Sequence, residues 1–569
     1  MRKTSSSSRL AACFLFCGVL SATPTLRLQT STVISQIAPG ANAASQTVNA
    51  YNIGDGALSL SLSVSPSVPW LAASLGTPVA CSLAPAGGTC IPLVFAFSTN
   101  HLARGTYTTS VTVSDPPAID APQVVTVTVQ VGFSTPLAID QYVAPGTAAD
   151  TPISPGPGAS CASYLVLGCP PSLSASTQTG GQWLSVSVNA EGTLQWPWSA
   201  SVHFSPTAGM TSGSYAGNVS VTNSDDNLTI PVTMQVTTEP IAVASTSQID
   251  VRLAAGGPAT TYPFLPAISF ANTGLGTLTI GDVSGSGPGV SAYNYAGLAI
   301  VTVDPGSLVP GAYTGTVTVG CNGANCPLQI PVNLEVDAQG PPVITYQSVT
   351  DNATFSPSNP VAPGDVCVLK GAQLSLEPAA SAANVPLPVQ LGGASVLVNN
   401  VQAPLYYTSF GQIAFQMPSS TAPGPALVQV VRGQETSNTV TVNQVTPFYP
   451  AIVVITDSSY NLRDANHPSH AGDWLILWSI GLGATSPAVP DGTAAPANPP
   501  ASAIAKPQVV FLGANTMEPV TPVFAGLSPG GVGLYQVNVQ IPSDMPSGNV
   551  SVKLGSGAAY SNSIQIAVQ

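Results

Sequence analysis

The stretch Val309–Val319 reads VPGAYTGTVTV, and close copies stand at Ala103–Val113 (ARGTYTTSVTV) and Thr211–Val221 (TSGSYAGNVSV). Each copy begins with a turn that contains Gly, which tolerates the positive φ of tight turns. A tyrosine follows, and apolar residues then alternate with polar ones, the period of a strand with one buried face. The motif therefore predicts the same turn, tyrosine and half-buried strand at three places in the chain.

The spacing of these tyrosines indicates the size of the repeating unit. Tyr107, Tyr215 and Tyr313 are separated by 108 (215 − 107) and 98 (313 − 215) residues, about the length of one immunoglobulin-like (Ig-like) β-sandwich. A tyrosine at the start of a strand can bury its ring between two sheets and donate its hydroxyl to the backbone, an arrangement called a tyrosine corner. We therefore predict a structural role for all three and no contact with a ligand.

Domain boundaries follow from these repeats and from a second duplication nearer the C-terminus. Three Ig-like modules are predicted at 28–133, 134–239 and 240–338, and Asp337–Pro342 is predicted to be a linker. Downstream, APGDVCVLKGAQLS at Ala362–Ser375 matches HAGDWLILWSIGLG at His470–Gly483, which predicts two related β-modules at 342–445 and 446–569. The fold class is thus all-β, with about five tandem Ig-like β-sandwich modules in an extended array.

Composition supports this fold class and excludes one class of partner. Charged residues make up 6% of the chain, against about 25% in typical globular domains. The 53 Gly and 55 Pro interrupt every helical pattern. The net charge is −13, and the seven basic residues beyond Arg27 are scattered. A nucleic-acid-binding face needs clustered basic residues, so no nucleic acid is expected as a partner.

The N-terminus predicts export. Arg2, Lys3 and Arg9 precede the 13-residue apolar run Leu10–Ala22, which has the length of a signal-peptide core and is too short to span a bilayer. Residues 1–22 are therefore predicted to be a signal peptide, and the chain is expected to be secreted or held at the cell surface. No later run reaches 18 apolar residues, so no membrane span is expected.

Cysteine spacing agrees with an oxidising compartment. Three closely spaced pairs are predicted to form local disulfides rather than a metal site, since they lack the CxxC spacing and histidine partners of zinc ligands. The pairs are Cys81/Cys90, Cys161/Cys169 and Cys321/Cys326. The remaining Cys367 is predicted to be a buried strand residue.

Residues from about 345 to 569 resemble the uncharacterised C-terminal domain family that is abundant in secreted proteins of Solibacter-type acidobacteria. The resemblance is carried by PVAPGDVCVLKGAQL, GDWLILWSIGLGATSPAVPDG and VFAGLSPGGVGLYQVNVQIP, and this sequence departs from the family pattern at Cys367, Lys370 and the histidines of NHPSHAGD. Each half is similar to an IPT/TIG-type Ig-like fold, and the front modules resemble BACON-like and other bacterial Ig-like repeats. The resemblance implies secretion and modular β-structure, and it implies no catalytic residues.

Two short patterns could indicate catalysis or metal binding. Gly526–Gly530 (GLSPG) fits the GxSxG nucleophile elbow, but that elbow needs a following helix and a later histidine, and no histidine follows His470. Ser528 is therefore predicted to be a turn residue. His467 and His470, near Asp464 and Asp473, lie in a proline-containing loop that does not align them as a metal-binding helix would.

Tryptophans offer the remaining candidates. Trp70 and Trp183 occupy matching places in modules 1 and 2 and are predicted to be core residues. Trp196 and Trp198 lie two residues apart, so on a strand they would share one face, where exposed rings could stack on sugars. Core packing is the alternative for this pair. Asp225 and Asp226 occupy an acidic turn that could attract calcium, although such turns are usually only solvated.

Together these features predict a secreted or surface-associated, non-enzymatic interaction, adhesion or spacer protein without a cofactor or metal. Its partner would be a polysaccharide or another surface protein. The first alternative is a carbohydrate-binding protein that uses exposed aromatic residues or end loops, and the second is a hydrolase.

Overall fold

The architecture is all-β. A computed structural model describes residues 23–85, 88–132, 138–153, 172–179, 181–188, 200–207, 209–222, 227–262, 264–513, 517–557 and 559–569. All the regular elements in these ranges are strands. The described part of the chain contains no helix that is long and apolar enough to cross a membrane. The predicted all-β fold of tandem Ig-like sandwiches is confirmed, and we number the modules 1 to 5 in chain order.

The front half of the chain forms strands β1 to β24. In module 1, β1 to β9 are Leu26–Leu28, Thr32–Ile37, Gln46–Asn52, Ser61–Ser65, Leu71–Leu75, Val79–Ala80, Thr89–Phe97, Gly105–Ser114 and Gln123–Val131. In module 2, β10 to β16 are Ile139–Val143, Ala149–Ile153, Ser172–Thr177, Leu184–Val188, Ala200–Phe204, Gly213–Thr222 and Asn227–Val236. In module 3, β17 to β24 are Ala242–Ala244, Ile249–Ala254, Phe270–Asn272, Ile280–Ser286, Val290–Tyr295, Leu298–Val303, Gly311–Cys321 and Leu328–Asp337.

One sheet has the same topology in all three front modules. Its strand order is β2-β9-β8-β4, β10-β16-β15-β12 and β18-β24-β23-β20. The strand that contains each tyrosine forms an antiparallel hairpin with the next strand, and an early strand pairs in parallel with the last one. Alternation explains the core, because Val125, Val127, Val129 and Val131 of β9 are all fully buried. Each such burial stabilises the sandwich by roughly 1.5–3 kcal/mol.

The tyrosines act as predicted. The hydroxyl of Tyr107 donates to the carbonyl of Ala103 at 3.0 Å, and Tyr313 donates to Val309 at 2.7 Å. Tyr215 makes the equivalent bond to the residue four positions upstream. The rings pack against the hydrophobic cores, so the repeated motif is a tyrosine corner that ties each turn to the strand after it.

The core tryptophans are also confirmed. Trp70 is 4% exposed and Trp183 is 1% exposed. Trp183 donates its indole N–H to the carbonyl of Thr179 at 2.7 Å and stacks on Phe204 with ring centroids 6.2 Å apart. These contacts give the polar atom of a large buried ring its required partner.

Modules 4 and 5 comprise the remaining strands. In module 4, β25 to β35 are Val343–Ile344, Thr350–Asp351, Val366–Ala372, Ala380–Ser381, Ala394–Val398, Val401–Ala403, Leu405–Thr408, Gln412–Gln416, Gly424–Arg432, Glu435–Thr436 and Val440–Val445. In module 5, β36 to β46 are Ala451–Asp457, Trp474–Ile480, Thr485–Ser486, Ser502–Ala503, Gln508–Leu512, Met517–Val520, Phe524–Leu527, Tyr535–Gln540, Gly548–Ser556, Ala559–Tyr560 and Ile564–Val568.

A Ser-Asn pair holds the first strand in each of these two modules. In module 4 the hydroxyl of Ser437 donates to the carbonyl of Asn438, whose side chain accepts from the N–H of Ile344 and donates to its carbonyl at 2.7 and 3.0 Å. Ser561 and Asn562 make the same set of bonds to β36 in module 5. The repeated Ser-Asn in the sequence is thus a clamp on the start of each module.

A second repeated device stands where β27 and β37 begin. Gly364 and Gly472 have φ of +83° and +86°, the left-handed region that favours glycine. Their carbonyls accept from the side-chain amides of Gln416 and Gln540 at 3.2 and 2.8 Å. The matching sequence stretches therefore build matching turns.

Two of the predicted disulfides are present. Cys81 bonds Cys90, and Cys321 bonds Cys326, with Cα atoms 5.8 and 5.6 Å apart. The third pair, Cys161 and Cys169, lies outside the described residues. Cys367 is a free, fully buried residue of β27, as expected.

Candidate functional site

Trp196 and Trp198, for which the sequence left open a ligand platform or core packing, lie outside the residues that the structure describes. The same is true of the acidic turn with Asp225 and Asp226. Neither interpretation is tested, and both stay predictions.

Ser528 lies in a turn. Its N–H donates to the carbonyl of Leu534 at 2.8 Å, and its carbonyl accepts from Gly531 at 2.9 Å. It follows β42 and leads into a further turn, so the strand–turn–helix geometry of a nucleophile elbow is not formed at this position.

The histidine pair in the loop before β37 does not converge on a common point. His467 contacts Asp464 through Nδ1 at 2.9 Å, whereas His470 contacts Asp473 at 3.5 Å. Each histidine has its own carboxylate and both are exposed. Within the described ranges no group of three His, Cys, Asp or Glu residues is placed to hold a metal ion.

An unpredicted line of three polar side chains crosses the smaller sheet of module 2. Ser187 Oγ lies 2.6 Å from His203 Nε2, and His203 Nδ1 lies 2.7 Å from Asp150 Oδ1. The sheet order β11-β14-β13 places these residues on neighbouring strands. The connections match those of a catalytic triad.

The surroundings of this line do not match those of a triad. The Asp150 side chain is 64% exposed and the His203 side chain is 32% exposed. A catalytic acid is normally buried, and the oxyanion donors of a hydrolase act in a water-excluded site. We interpret the three residues as a hydrogen-bonded chain on a solvated sheet surface.

The segment between modules 3 and 4 is hydrogen-bonded to both. Gln373 accepts from the N–H of Gly340 at 2.8 Å and donates to the carbonyl of Ala338 at 2.9 Å. On the other side, Gln339 donates to the carbonyl of Ala255 at 2.9 Å. Arg432 also donates to the Gly340 carbonyl at 2.7 Å. The segment predicted to be a linker is therefore held in one conformation at this junction.

A groove lies beside this junction. Phe264 of module 3 and Tyr407 of module 4 face each other with ring centroids 5.8 Å apart. The groove has a volume of about 200 Å³, and Arg252 and Glu377 stand at its polar side. Phe410 lines it and packs against the core of module 3. Aromatic walls with a few charged groups are common in binding clefts, but this groove is smaller than the roughly 300–1,000 Å³ of most ligand pockets.

Modules 4 and 5 share a hydrophobic contact and several hydrogen bonds. The Tyr406 hydroxyl donates to the carbonyl of Val532 at 2.8 Å, and Gln416 accepts from the N–H of Gly492 at 2.6 Å. Three buried residues form the apolar centre of the junction: Val366, Ala451 and Ile480.

An acidic residue is buried at this same junction. Asp365 is 1% exposed, and its Oδ1 has no hydrogen-bond partner among the described residues. Burial raises the pKa of the Asp365 carboxyl well above its usual range, and the nearby Asp351 carboxylate raises it further. The equivalent Asp473 of module 5 is exposed (46% of its side chain). Module 5 therefore covers the turn that contains Asp365 in module 4, whereas the equivalent turn of module 5, which contains Asp473, is open to solvent.

The raised pKa of Asp365 has a defined effect on stability. A carboxyl whose pKa is higher in the folded than in the unfolded protein makes the folded state bind more protons, so the free energy of unfolding falls as pH rises above the unfolded value of about 4. The destabilisation grows until the pH reaches the folded-state pKa.

Modules 1 and 4 are in direct contact, although modules 2 and 3 separate them in the sequence. The N–H of Asp120 donates to the carbonyl of Thr439 at 2.9 Å, and its carboxylate accepts from the N–H of Thr441 at 2.6 Å. Arg27 forms an ion pair with Asp120 at 2.6 Å and lies 5.4 Å from the ring centre of Tyr346. The array thus includes a contact that a strictly linear arrangement would lack.

No protein-family model matches the chain, and no curated protein matches it either. Many solved structures share local β-sandwich geometry with it. An endo-fucoidan hydrolase from glycoside hydrolase family 107 is 14% identical over 56% of this chain, with a TM-score of 0.17. This chain spans 45% of that enzyme's length.

Two cadherin structures match with similarly low scores. N-cadherin EC1-3 from Drosophila is 7% identical over 55% of this chain and all of its own, with a TM-score of 0.21. Protocadherin Gamma B2 domains 1-5 are 11% identical over 94% of this chain and 98% of their own, with a TM-score of 0.15. Such low TM-scores carry no argument about function, and the chain stands as an all-β protein of tandem Ig-like sandwiches.

Proposed function

We propose that this chain is an exported, non-enzymatic interaction protein in which coupled β-sandwiches hold binding surfaces at fixed separations. The observation that carries the proposal is the set of hydrogen-bonded junctions between modules 1 and 4, 3 and 4, and 4 and 5. Relative motion is the default between domains, and hydrogen bonds and packed side chains that join the modules restrict it.

Two further observations support export and binding. The two disulfides suit an oxidising compartment. The groove between modules 3 and 4 offers aromatic rings beside charged groups at a place where two modules meet, and ligand sites often lie at domain interfaces.

The test uses the chain with its signal peptide, secreted into an oxidising compartment and purified. We expect saturable binding to extracellular matrix and cell-surface material from the organism that produces it. The variant Y407A should weaken that binding if the groove takes part, and Y262A, which alters an exposed tyrosine of module 3, serves as its control. Pretreating the material with protease or with periodate separates protein from glycan partners.

Failure to bind any such material would contradict the proposal. So would turnover of ester or glycoside substrates that is lost in S187A, because the proposal treats the Ser187–His203–Asp150 line as non-catalytic.

A further inference from the structure

The outer face of the larger sheet of module 5 carries three cross-strand rows of aromatic, amide, aliphatic and hydroxyl side chains, none of them charged. Leu475, Leu477 and Val537 point into the core, so the alternate residues of β37 and β43 point outward. The register pairs them in three rows: Trp474 with Gln540, Ile476 with Asn538, and Trp478 with Gln536. Thr456 and Phe524 extend the middle row on either side.

The two tryptophans are separated along one strand. Trp474 and Trp478 are four residues apart, which at strand spacing is about 13 Å, room for about two or three sugar rings between and over them. Trp474 is 43% exposed. Trp478 is partly exposed, Ile476 between the two is 8% exposed, and the amides of Gln536, Asn538 and Gln540 lie beside them on β43. The parts open to an extended ligand are therefore the two indoles and the neighbouring amides.

A third ring is fixed beside Trp478. Tyr460 is 68% exposed, and its ring centroid lies 6.0 Å from that of Trp478. The Trp478 indole N–H donates to the hydroxyl of Thr456 at 3.0 Å, which fixes the orientation of the indole. The pair thus presents two neighbouring rings at one end of the face.

The loop that carries Tyr460 is tightly held. Tyr460 has φ of +67°, a left-handed conformation that costs a non-glycine residue about 1–2 kcal/mol. Asp457 maintains it by accepting from the N–H groups of Ser459 and Asn461 at 2.8 and 3.0 Å. Its second oxygen accepts from Arg463 at 2.7 Å. These hydrogen bonds stabilise the turn that holds Tyr460 in the strained conformation with its ring exposed. Such strain often marks a functional position.

The chemistry of this face selects among ligands. Amide groups offer both donors and acceptors, and rings offer apolar faces. The three rows contain no charged side chain, so they complement neither a phosphate nor a polyanion. A neutral oligosaccharide has hydroxyls for the amides and C–H faces for the rings.

We propose that the outer sheet face of module 5, with Trp474, Trp478 and Tyr460 as its stacking residues, binds a neutral polysaccharide chain. This is a different surface from Trp196 and Trp198, and it does not depend on the groove between modules 3 and 4. Binding extends the proposed role by giving the coupled modules an attachment to extracellular glycan.

Isothermal titration of the whole secreted chain with cellohexaose, xylohexaose, mannohexaose and laminarihexaose tests the proposal, with polygalacturonate as the charged comparison. At least one neutral hexasaccharide should bind and should alter tryptophan fluorescence. W474A/W478A should reduce the affinity tenfold or more while the chain still unfolds cooperatively, and W474F/W478F should restore part of the affinity.

The matched control is Y293A/Y295A, which removes two exposed aromatic rings from module 3. Its affinity should equal that of the unaltered chain. The proposal is overturned if none of the neutral hexasaccharides binds, if only polygalacturonate binds, or if W474A/W478A binds normally while Y293A/Y295A does not. If binding to extracellular material persists in W474A/W478A, the interaction role stands and this surface does not serve it.

Discussion

Replacing Asp120 by Ala should release module 1 from module 4. Asp120 is fully buried, and its carboxylate accepts from both Arg27 and Thr441 at 2.6 Å. Of these two bonds, the one from Thr441 crosses between the modules, whereas Arg27 belongs to module 1 together with Asp120. Losing a hydrogen bond to a charged group costs about 1.5–3 kcal/mol, so we expect the docking equilibrium to change by roughly tenfold to a hundredfold. Loss of the Arg27 ion pair should in addition lower the stability of module 1 itself.

Hydrogen exchange measures this change directly. The N–H of Thr441 loses its acceptor in D120A, so a peptide covering residues 438–445 should exchange faster, and the maximum dimension from small-angle X-ray scattering should increase. D55A alters an exposed acidic residue of the same module and should change neither quantity. D120N keeps an acceptor and should lie between the two. Unchanged exchange and scattering in D120A would refute the assignment of this contact to docking.

Three further predictions concern the C-terminal half and the third module. D365N should raise the free energy of unfolding by about 1–3 kcal/mol at pH 7 to 8 and leave it unchanged near pH 3, because it removes a buried carboxyl whose Oδ1 has no hydrogen-bond partner among the described residues. D473N should have no effect in the same chemical denaturation, and a gain for D365N that is smaller at high pH than at low pH would contradict the burial argument. N438A should lower the free energy of unfolding by about 1–3 kcal/mol, since it leaves the N–H and the carbonyl of Ile344 in the first strand of module 4 without their partner. Differential scanning calorimetry would show this as a lower melting temperature for the module 4–5 unit, and an unaltered transition would rule out the clamp. Reducing the bond between Cys321 and Cys326, five residues apart, should lower the stability of module 3 by about 2 kcal/mol, and equal denaturation midpoints for C321S/C326S and the unaltered chain would contradict it.

Local sequence patterns predicted the local structure well. The tyrosine corners join residues four apart, and Cys81–Cys90 and Cys321–Cys326 close short loops, so the chain brings these groups together without help from the tertiary fold. The alternation of apolar and polar residues also predicted the strands, because a sheet with one buried face requires every second residue to be apolar.

Contacts between distant segments could not be predicted in this way. Asp120 and Thr441 are 321 residues apart in the sequence, and nothing in either neighbourhood indicates the other. Ser187, His203 and Asp150 meet only because of the register of three strands. That register depends on packing within the whole module.

The face with Trp474 and Trp478 lies between these cases. A signal was available, because residues four apart on a predicted strand share one side. The same stretch, GDWLILWS, also matched the duplicated repeat, and its apolar character is typical of a core strand. The sequence alone does not say which side of this strand faces solvent, because that depends on where the second sheet of module 5 packs.

The parallel pairing of an early strand with the last one in modules 1, 2 and 3 determines where the chain enters and leaves each sandwich. Two strands that run the same way put the point where the chain arrives at one pole of the sandwich and the point where it departs at the other. Each sandwich therefore carries the chain about 30 Å along a nine-residue strand from one end to the other. Because module 1 nevertheless touches module 4, the change of direction that brings them together has to occur between sandwiches and not within them.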